Sequence, residues 1–343
     1  MIKHGKNKFG LIGFSLVAII ISYWFAEYRF YMNTEWSEAK ISSLITYSAA
    51  KPFQYRVLIP WLVRTITDLH VPIPPVHLPS QLWITSVLEP AQAQLFVLIE
   101  FISTFLLFLA FRLLIGSIFK KHRLGDLFTL SLILVLPFNF LLPKIAPFWY
   151  PSDIPAILFF TLGLLFIRQE KWSMYYLIFI IGSFNRETIG FLTLVFIFAN
   201  FEKLKPRSIL FHTVLQLAIW CAIKFSLYSI FINNPGSSIV QNQFSANLSF
   251  LLSPKRYPML FSNFGFTWIL VVVFYRFIND RFIKRSLLVV IPFLIVTLIA
   301  GDIWELRIFG ELIPIILTGF WLVVQSLIDE KKIELQNPQQ LND

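Results

Sequence analysis

Trp149-Tyr150-Pro151-Ser152-Asp153-Ile154-Pro155 opens an apolar run that continues to Ile167. A polar turn follows, Arg168-Gln169-Glu170-Lys171, and a second apolar run ends at Asn185-Arg186-Glu187-Thr188. Two apolar legs therefore meet at a basic turn, and each carries an acid at its far end. Such legs read as membrane helices, because lipid offers no partner to backbone groups that a helix does not satisfy itself. With the basic turn on the cytoplasmic side, Asp153 and the Arg186-Glu187 pair fall near the opposite face.

The same pattern extends outward along the chain. Of its 343 residues 57% are hydrophobic and only 14% are charged, against about 25% charged in an ordinary soluble domain. Mean hydropathy is +0.70. The apolar runs are continuous rather than alternating, which excludes the strand pattern of an outer-membrane barrel. The expected fold is all-α: a polytopic transmembrane bundle of about ten helices. The spans are 9–25, 95–118, 127–142, 154–167, 172–184, 189–200, 210–231, 260–275, 286–300 and 308–327. The first follows Lys3, Lys6 and Lys8 in the manner of a signal peptide. It ends in Tyr23-Trp24-Phe25 without a small-residue cleavage site, so it is kept as a helix. Residues 1–330 form a single integral membrane domain, and 331–343 form a cytoplasmic tail.

Residues 26–92 make a long first outer loop. Its segment 56–66 is apolar but too short to cross, which suits a helix lying in the interface. Pro72, Pro74, Pro75 and Pro79 then interrupt any helix. The legs 172–184 and 189–200 are each short. As a hairpin they either tilt and thin the bilayer locally or set Asn185–Thr188 in a polar cavity, and a single broken helix is the competing reading.

Basic residues orient the bundle. With the N-terminus inside, 17 Lys and Arg fall in cytoplasmic segments and 10 in outer ones, five of these in the long first loop. The formal charge of +10 is thereby assigned to the positive-inside pattern and not to nucleic acid. Both termini are expected in the cytoplasm and the membrane is expected to be a bacterial plasma membrane.

No chemistry of soluble nucleotides is encoded: Walker, dinucleotide and Gly-x-Ser-x-Gly motifs are all missing. The one cysteine, Cys221, excludes a disulfide framework, and His4, His70, His77, His122 and His212 lack metal-ligand spacing. No cofactor or metal is expected, with a divalent ion left open. Asn247-Leu248-Ser249 matches a glycosylation triplet, a pattern common by chance.

Charges inside a membrane protein are costly and mark functional sites. The outer face of this topology collects Glu35, Glu38, Arg56, Asp153, Arg186, Glu187, Asp302, Glu305, Arg307 and Glu311. Each also has a purely structural reading. Asp153 could cap the helix it precedes. Arg186 and Glu187 could pair with each other. Glu311 could be the i,i+4 partner of Arg307. Arg56 could anchor at the interface. Glu100 and Arg112 read as packing or interfacial residues.

The ordering of these motifs resembles the polytopic glycosyltransferases of the GT-C superfamily. Glu35-Trp36-Ser37-Glu38 and Pro52-Phe53-Gln54-Tyr55-Arg56 stand where such enzymes have an acidic first loop with an aromatic-proline segment. Ser152-Asp153-Ile154-Pro155 matches an Asp before a helix in the second outer loop. Asn185-Arg186-Glu187-Thr188 matches an Arg-bearing helix junction. Glu305-Leu306-Arg307 with Pro314 matches a late Glu-x-Arg before a Pro-containing helix. The likeness spans about residues 9–327. It departs in offering Glu where many relatives have Asp in the first loop, and in lacking a soluble C-terminal domain.

The resemblance implies sugar transfer from a polyprenyl-phosphate donor on the extracytoplasmic face, with membrane lipids as the other partner. Glu35, Glu38 or Asp153 would serve catalysis, Glu35 being favoured as base. Arg56, Arg186 and Arg307 would bind the donor phosphate. Glu187, Glu305 and Glu311 would support them. The alternative is a polytopic transporter, or a flippase or polymerase of lipid-linked glycans. A transporter should hold its charges near the bilayer midplane, and a transferase should hold them near the outer rim.

Overall fold

In a computed structural model the described residues are 7–72, 78–79, 82–119, 124–143, 145–236 and 242–336, with side chains omitted for 7–9 and 331–336. Lys3, Lys6, Lys120, Lys121, Arg123, Lys144, His4, His77, His122, Pro74 and Pro75 lie outside them. So do the side chains of Lys8, Lys331 and Lys332, and residues 337–343.

The regular structure of the described residues is all helical, with a single isolated parallel bridge between Thr34 and Phe148. Five helices are long and apolar enough to cross a bilayer: Gly10–Met32, Pro90–Ile118, Pro206–Ile230, Arg281–Ala300 and Leu306–Glu330. The first helix outruns its expected end at residue 25 and closes at Met32. Pro90 and Pro206 begin their helices, where a missing N–H costs nothing. The last helix continues to Gln336, so the expected tail begins as helix.

Shorter apolar helices fill the spaces between. Asp153–Arg168 and Trp172–Asn185 meet at the basic turn. Arg186 then adopts an extended backbone, and Glu187–Gly190 and Phe191–Asn200 follow. The chain reverses here. The rings of Trp172 and Phe196 stand 5.6 Å apart, and both lie against His212. Ile189 packs so tightly on Gly182 that a Cβ there would lie 2.9 Å from its side chain. A continuous helix would separate residues 172 and 196 by more than 30 Å at about 1.5 Å per residue. Residues 172–200 therefore reverse direction and are not one continuous helix.

The expected unbroken helix over 260–275 is interrupted. Tyr257–Ser262 ends, Phe264, Gly265 and Phe266 take positive φ of 55°, 59° and 65°, and Thr267–Val273 resumes. Buried Asn139 repairs the break. Its Nδ2 donates to Asn263 Oδ1 at 2.7 Å and to Leu306 O at 2.9 Å, and its Oδ1 accepts from Phe264 N at 3.1 Å. Irregular backbone persists inside a membrane protein only where such partners exist.

The main core is aromatic and aliphatic, with Phe25, Phe108, Phe111, Phe160, Phe179, Phe196 and Phe293 almost fully buried. The first loop carries its own core of Phe30, Ile41, Ile59, Val63, Ile84, Phe96 and Trp149. Within that loop the segment expected to lie in the interface forms the helix Leu58–Asp68, burying Ile59, Pro60 and Val63 while Trp61 stays exposed. Thr34 N donates to Pro147 O at 2.8 Å, and Trp149 N donates to Thr34 O at 2.9 Å. The first loop is thus stitched to the segment that leads into Asp153.

Candidate functional site: a buried arginine–carboxylate network

Ion pairs sort to the two ends of the fold. One end holds Arg112 on Asp126, Arg168 on Asp280, Lys203 on Glu170 and Arg285 on Glu202. The other end holds a network centred on Asp153, whose elements arrive from five separate stretches of chain.

Asp153 sits in the first turn of its helix but does not cap it. The N-cap is Ser152, which makes no side-chain cap bond. The Asp153 carboxylate instead faces three guanidiniums. Oδ2 accepts from Arg29 Nη2 at 3.0 Å; Oδ1 accepts from Arg186 Nη1 at 3.1 Å and from Arg307 Nη1 at 3.3 Å. Arg29 also donates to Glu100 Oε1 at 2.7 Å, and Arg307 also pairs with Glu305. The guanidinium of Arg307 lies 3.9 Å from the ring centroid of Tyr150. Arg29, Asp153 and Glu100 are buried to 1% exposure or less. Such charges are tolerable only when paired and hydrogen-bonded together.

Local conformation decides who pairs with whom. Arg186 has φ −156° and ψ 147°, and successive side chains of an extended backbone point to opposite sides. Arg186 therefore turns inward to Asp153 while Glu187 turns outward to Arg56. The pair between these neighbours that a purely structural reading offered does not form. Arg56 holds Glu187 with two bonds, Nε to Oε2 at 3.2 Å and Nη2 to Oε1 at 2.5 Å. Glu311 likewise is not the partner of Arg307. Leu306–Leu312 is a 3₁₀ helix, whose tighter turn does not bring i and i+4 together as an α-helix does. Glu311 instead accepts from Thr188 Oγ1 and lies 3.4 Å from Arg186 Nε.

The structure thus brings Asp153, Arg186, Arg307, Glu305 and Glu311 into one network and sets the Arg56–Glu187 pair at the adjoining turn. Glu35 and Glu38 stand apart from the recorded ion pairs. Glu35 is half-buried and accepts from Ile41 N at 3.1 Å, and Glu38 is exposed. The bridge at Thr34 and the 4.6 Å contact of Trp36 with Phe148 carry Glu35 alongside the approach to Asp153.

Arg29 and Glu100 were not among the sequence candidates for the site. A signal existed for Arg29, the lone cation of Tyr28-Arg29-Phe30-Tyr31-Met32. Its aromatic neighbours place it at the end of the first helix, where Tyr and Trp belong in a membrane interface. Exposed Tyr23, Trp24, Tyr28 and Tyr31 mark that level.

Asp302 lies in the connection between two apolar helices, with Oδ1 buried and unpartnered. Burial pushes its carboxyl up to about 6; Glu305 adds to the rise and Arg307 opposes it. Asn247, the potential glycosylation acceptor, is fully buried. Its Nδ2 donates to Leu298 O at 2.8 Å and Gly301 O at 2.6 Å, and its Oδ1 accepts from Ile303 N at 3.1 Å. It is a structural clamp, closed to glycan attachment. Among the described residues no group of three or more His, Cys, Asp or Glu is arranged to hold a metal.

The chain matches no protein family model, no curated protein and no solved structure.

Proposed function

We propose that this chain is an integral membrane glycosyltransferase of the GT-C type. It transfers a sugar from a polyprenyl-phosphate donor to an acceptor on the extracytoplasmic face of a bacterial plasma membrane. In this reading the bundle crosses ten times, with both termini in the cytoplasm. The observation that carries the proposal is the placement of the buried network. Arg29 ends one helix, Asp153 begins another, Arg186 sits at a hairpin turn and Arg307 begins the last helix. Charges gathered at helix ends beneath a long loop suit rim chemistry on a lipid headgroup. A transporter site would sit near the midplane.

Asp153 has little capacity left to take a proton. Three cations hold it in the charged form, so its role is to position the arginines. The acceptor hydroxyl is activated by a first-loop carboxylate, Glu35, which is accessible and flanks the approach to Asp153, with Glu38 as the second candidate. Developing charge on the leaving phosphate is stabilised by Arg186 and Arg307, assisted by Arg56.

The test is release of polyprenyl phosphate from polyprenyl-phosphate hexoses in native membrane vesicles, which supply the acceptor. Glu35→Gln should lower turnover by about 10²-fold or more while the protein stays folded. Retention of wild-type turnover by folded Glu35→Gln and Glu38→Gln proteins would remove the first-loop base, and no release of polyprenyl phosphate by the wild type would favour the transporter reading.

A further inference from the structure

The cations of the network are not equally free to meet a ligand. Arg29, Arg186 and Arg307 are sealed at 0%, 3% and 6% exposure, and protein carboxylates already claim them. Arg56 keeps 13% exposure, and the Glu187 side chain that pairs with it is 41% exposed. A second cation, Lys224, stands on the Pro206–Ile230 helix where that helix meets the hairpin turn. Trp220 Nε1 donates to Glu187 O at 3.1 Å, and one turn further Lys224 Nζ donates to Ser183 O at 2.6 Å. Lys224 lies within electrostatic reach of both Glu187 and Arg56. A lysine on an apolar helix costs free energy unless it is paired or functional.

The surroundings point to the lipid. Only 11% of the apolar window of the Pro206–Ile230 helix is buried within the protein, and exposed Leu210, Phe211, Val214, Leu217 and Phe225 leave it an open apolar face. Its C-terminal end is joined to the first loop by packing of Tyr55 against Leu227 and Phe231. That packing fixes Arg56, the next residue, beside the same helix. Arg56 supplies a planar fork suited to phosphate oxygens, and Lys224 supplies a mobile point charge on a flexible stem.

We propose that Arg56 and Lys224 form a phosphate site at the lipid boundary, and that Glu187 is the counterion an incoming phosphate displaces. The site takes a phosphate monoester or diester, and the open apolar face of the Pro206–Ile230 helix lets an attached lipid chain remain in the bilayer. This deepens the glycosyl-transfer reading and rests on it for the donor. It shifts first contact with that donor from the sealed Arg186 and Arg307 to Arg56 and Lys224.

The test is equilibrium binding of dodecyl phosphate and of inorganic phosphate to the purified full chain in uncharged detergent, followed by tryptophan fluorescence. Dodecyl phosphate should bind, and Arg56→Gln and Lys224→Gln should each weaken binding about tenfold, the loss expected for one charged hydrogen bond. Lys224→Arg should restore it. Glu187→Gln should bind more tightly, because the competing carboxylate is gone while its backbone anchor to Trp220 remains. Thermal unfolding of each variant reports the fold separately. A purely structural cluster predicts the opposite for Glu187→Gln, and weakened or unchanged binding there overturns the proposal. Equal binding of inorganic phosphate overturns the lipid-boundary assignment. Binding with the expected signs in a protein that transfers no sugar leaves the site standing and removes the glycosyltransferase reading instead.

Discussion

Arg29 and Asp153 are 124 residues apart in sequence, yet Arg29 Nη2 donates to Asp153 Oδ2 at 3.0 Å with both side chains at 0% exposure. This contact ties the end of the first helix to the start of the helix that the basic turn closes. Asp153 is also the shared partner of Arg186 and Arg307. Removing it leaves three buried cations short of a counter-charge. Asp153→Ala should therefore destabilise the protein by about 3–5 kcal/mol, the cost of breaking a buried pair from one side. The midpoint of thermal unfolding in detergent measures this. Glu35 is half-buried and accepts from Ile41 N, so Glu35→Gln should leave the midpoint nearly unchanged.

The hairpin at Arg186 makes a prediction about sidedness. Reporter fusions after Lys171 and after Arg207 should both report cytoplasm, because the chain reverses between them. An extracytoplasmic signal at Arg207 would contradict the ten-span topology.

Asp302 gives the protein a pH dependence with a defined sign. Its folded carboxyl titrates near 6, above the ordinary aspartate value near 4, because burial favours the neutral form. The stabilising contribution of the neutral form is present in full below about pH 4 and is lost as pH rises through about 6. Asp302→Asn keeps a neutral side chain at all pH values. The variant should gain on the wild type in unfolding midpoint between pH 4 and pH 7. A parallel dependence in the two proteins would exclude this role for Asp302.

Asn139 stabilises the left-handed break at Phe264–Phe266 by two donations and one acceptance. Asn139→Leu preserves bulk but leaves Leu306 O and Phe264 N without that partner. A loss of about 2–3 kcal/mol is expected from unsatisfied buried groups. Increased hydrogen exchange at Phe264 should accompany it.

Gly310 tests the packing beneath the site. A Cβ at that position would lie 2.9 Å from Phe140 Cζ and 3.1 Å from Ile157 Cδ1. Gly310→Ala must push one of them aside, at about 1–3 kcal/mol. If the proposed sugar transfer is the activity, the change should also lower it more than the loss of stability accounts for, because Glu311 follows directly.

The helical character of the chain was legible in its sequence. Continuous apolar runs bounded by Lys and Arg have few other solutions in lipid, since each backbone must satisfy its own hydrogen bonds. The reversal near Arg186 and the short helix at Leu58–Asp68 were also readable from length and composition. Asp153, Arg186, Arg307 and the late glutamates stood out because charges in apolar surroundings are rare.

Their partners did not stand out. Sequence spacing offered Arg186 with Glu187 and Arg307 with Glu311 as structural pairs, and the fold forms neither. One extended residue turned Arg186 and Glu187 apart, and a 3₁₀ segment moved Glu311 to Thr188 and Arg186. Arg29 and Glu100 joined the network from helices distant in the chain. The sequence by itself determined which segments are helical and which residues are too polar to face lipid, because both follow from local hydrogen bonding and hydropathy. Only the tertiary structure decided which charge meets which. Pairing of buried ions depends on angstrom-scale distances between helix ends, set by how Phe and Ile side chains pack against one another and against glycines such as Gly182 and Gly310.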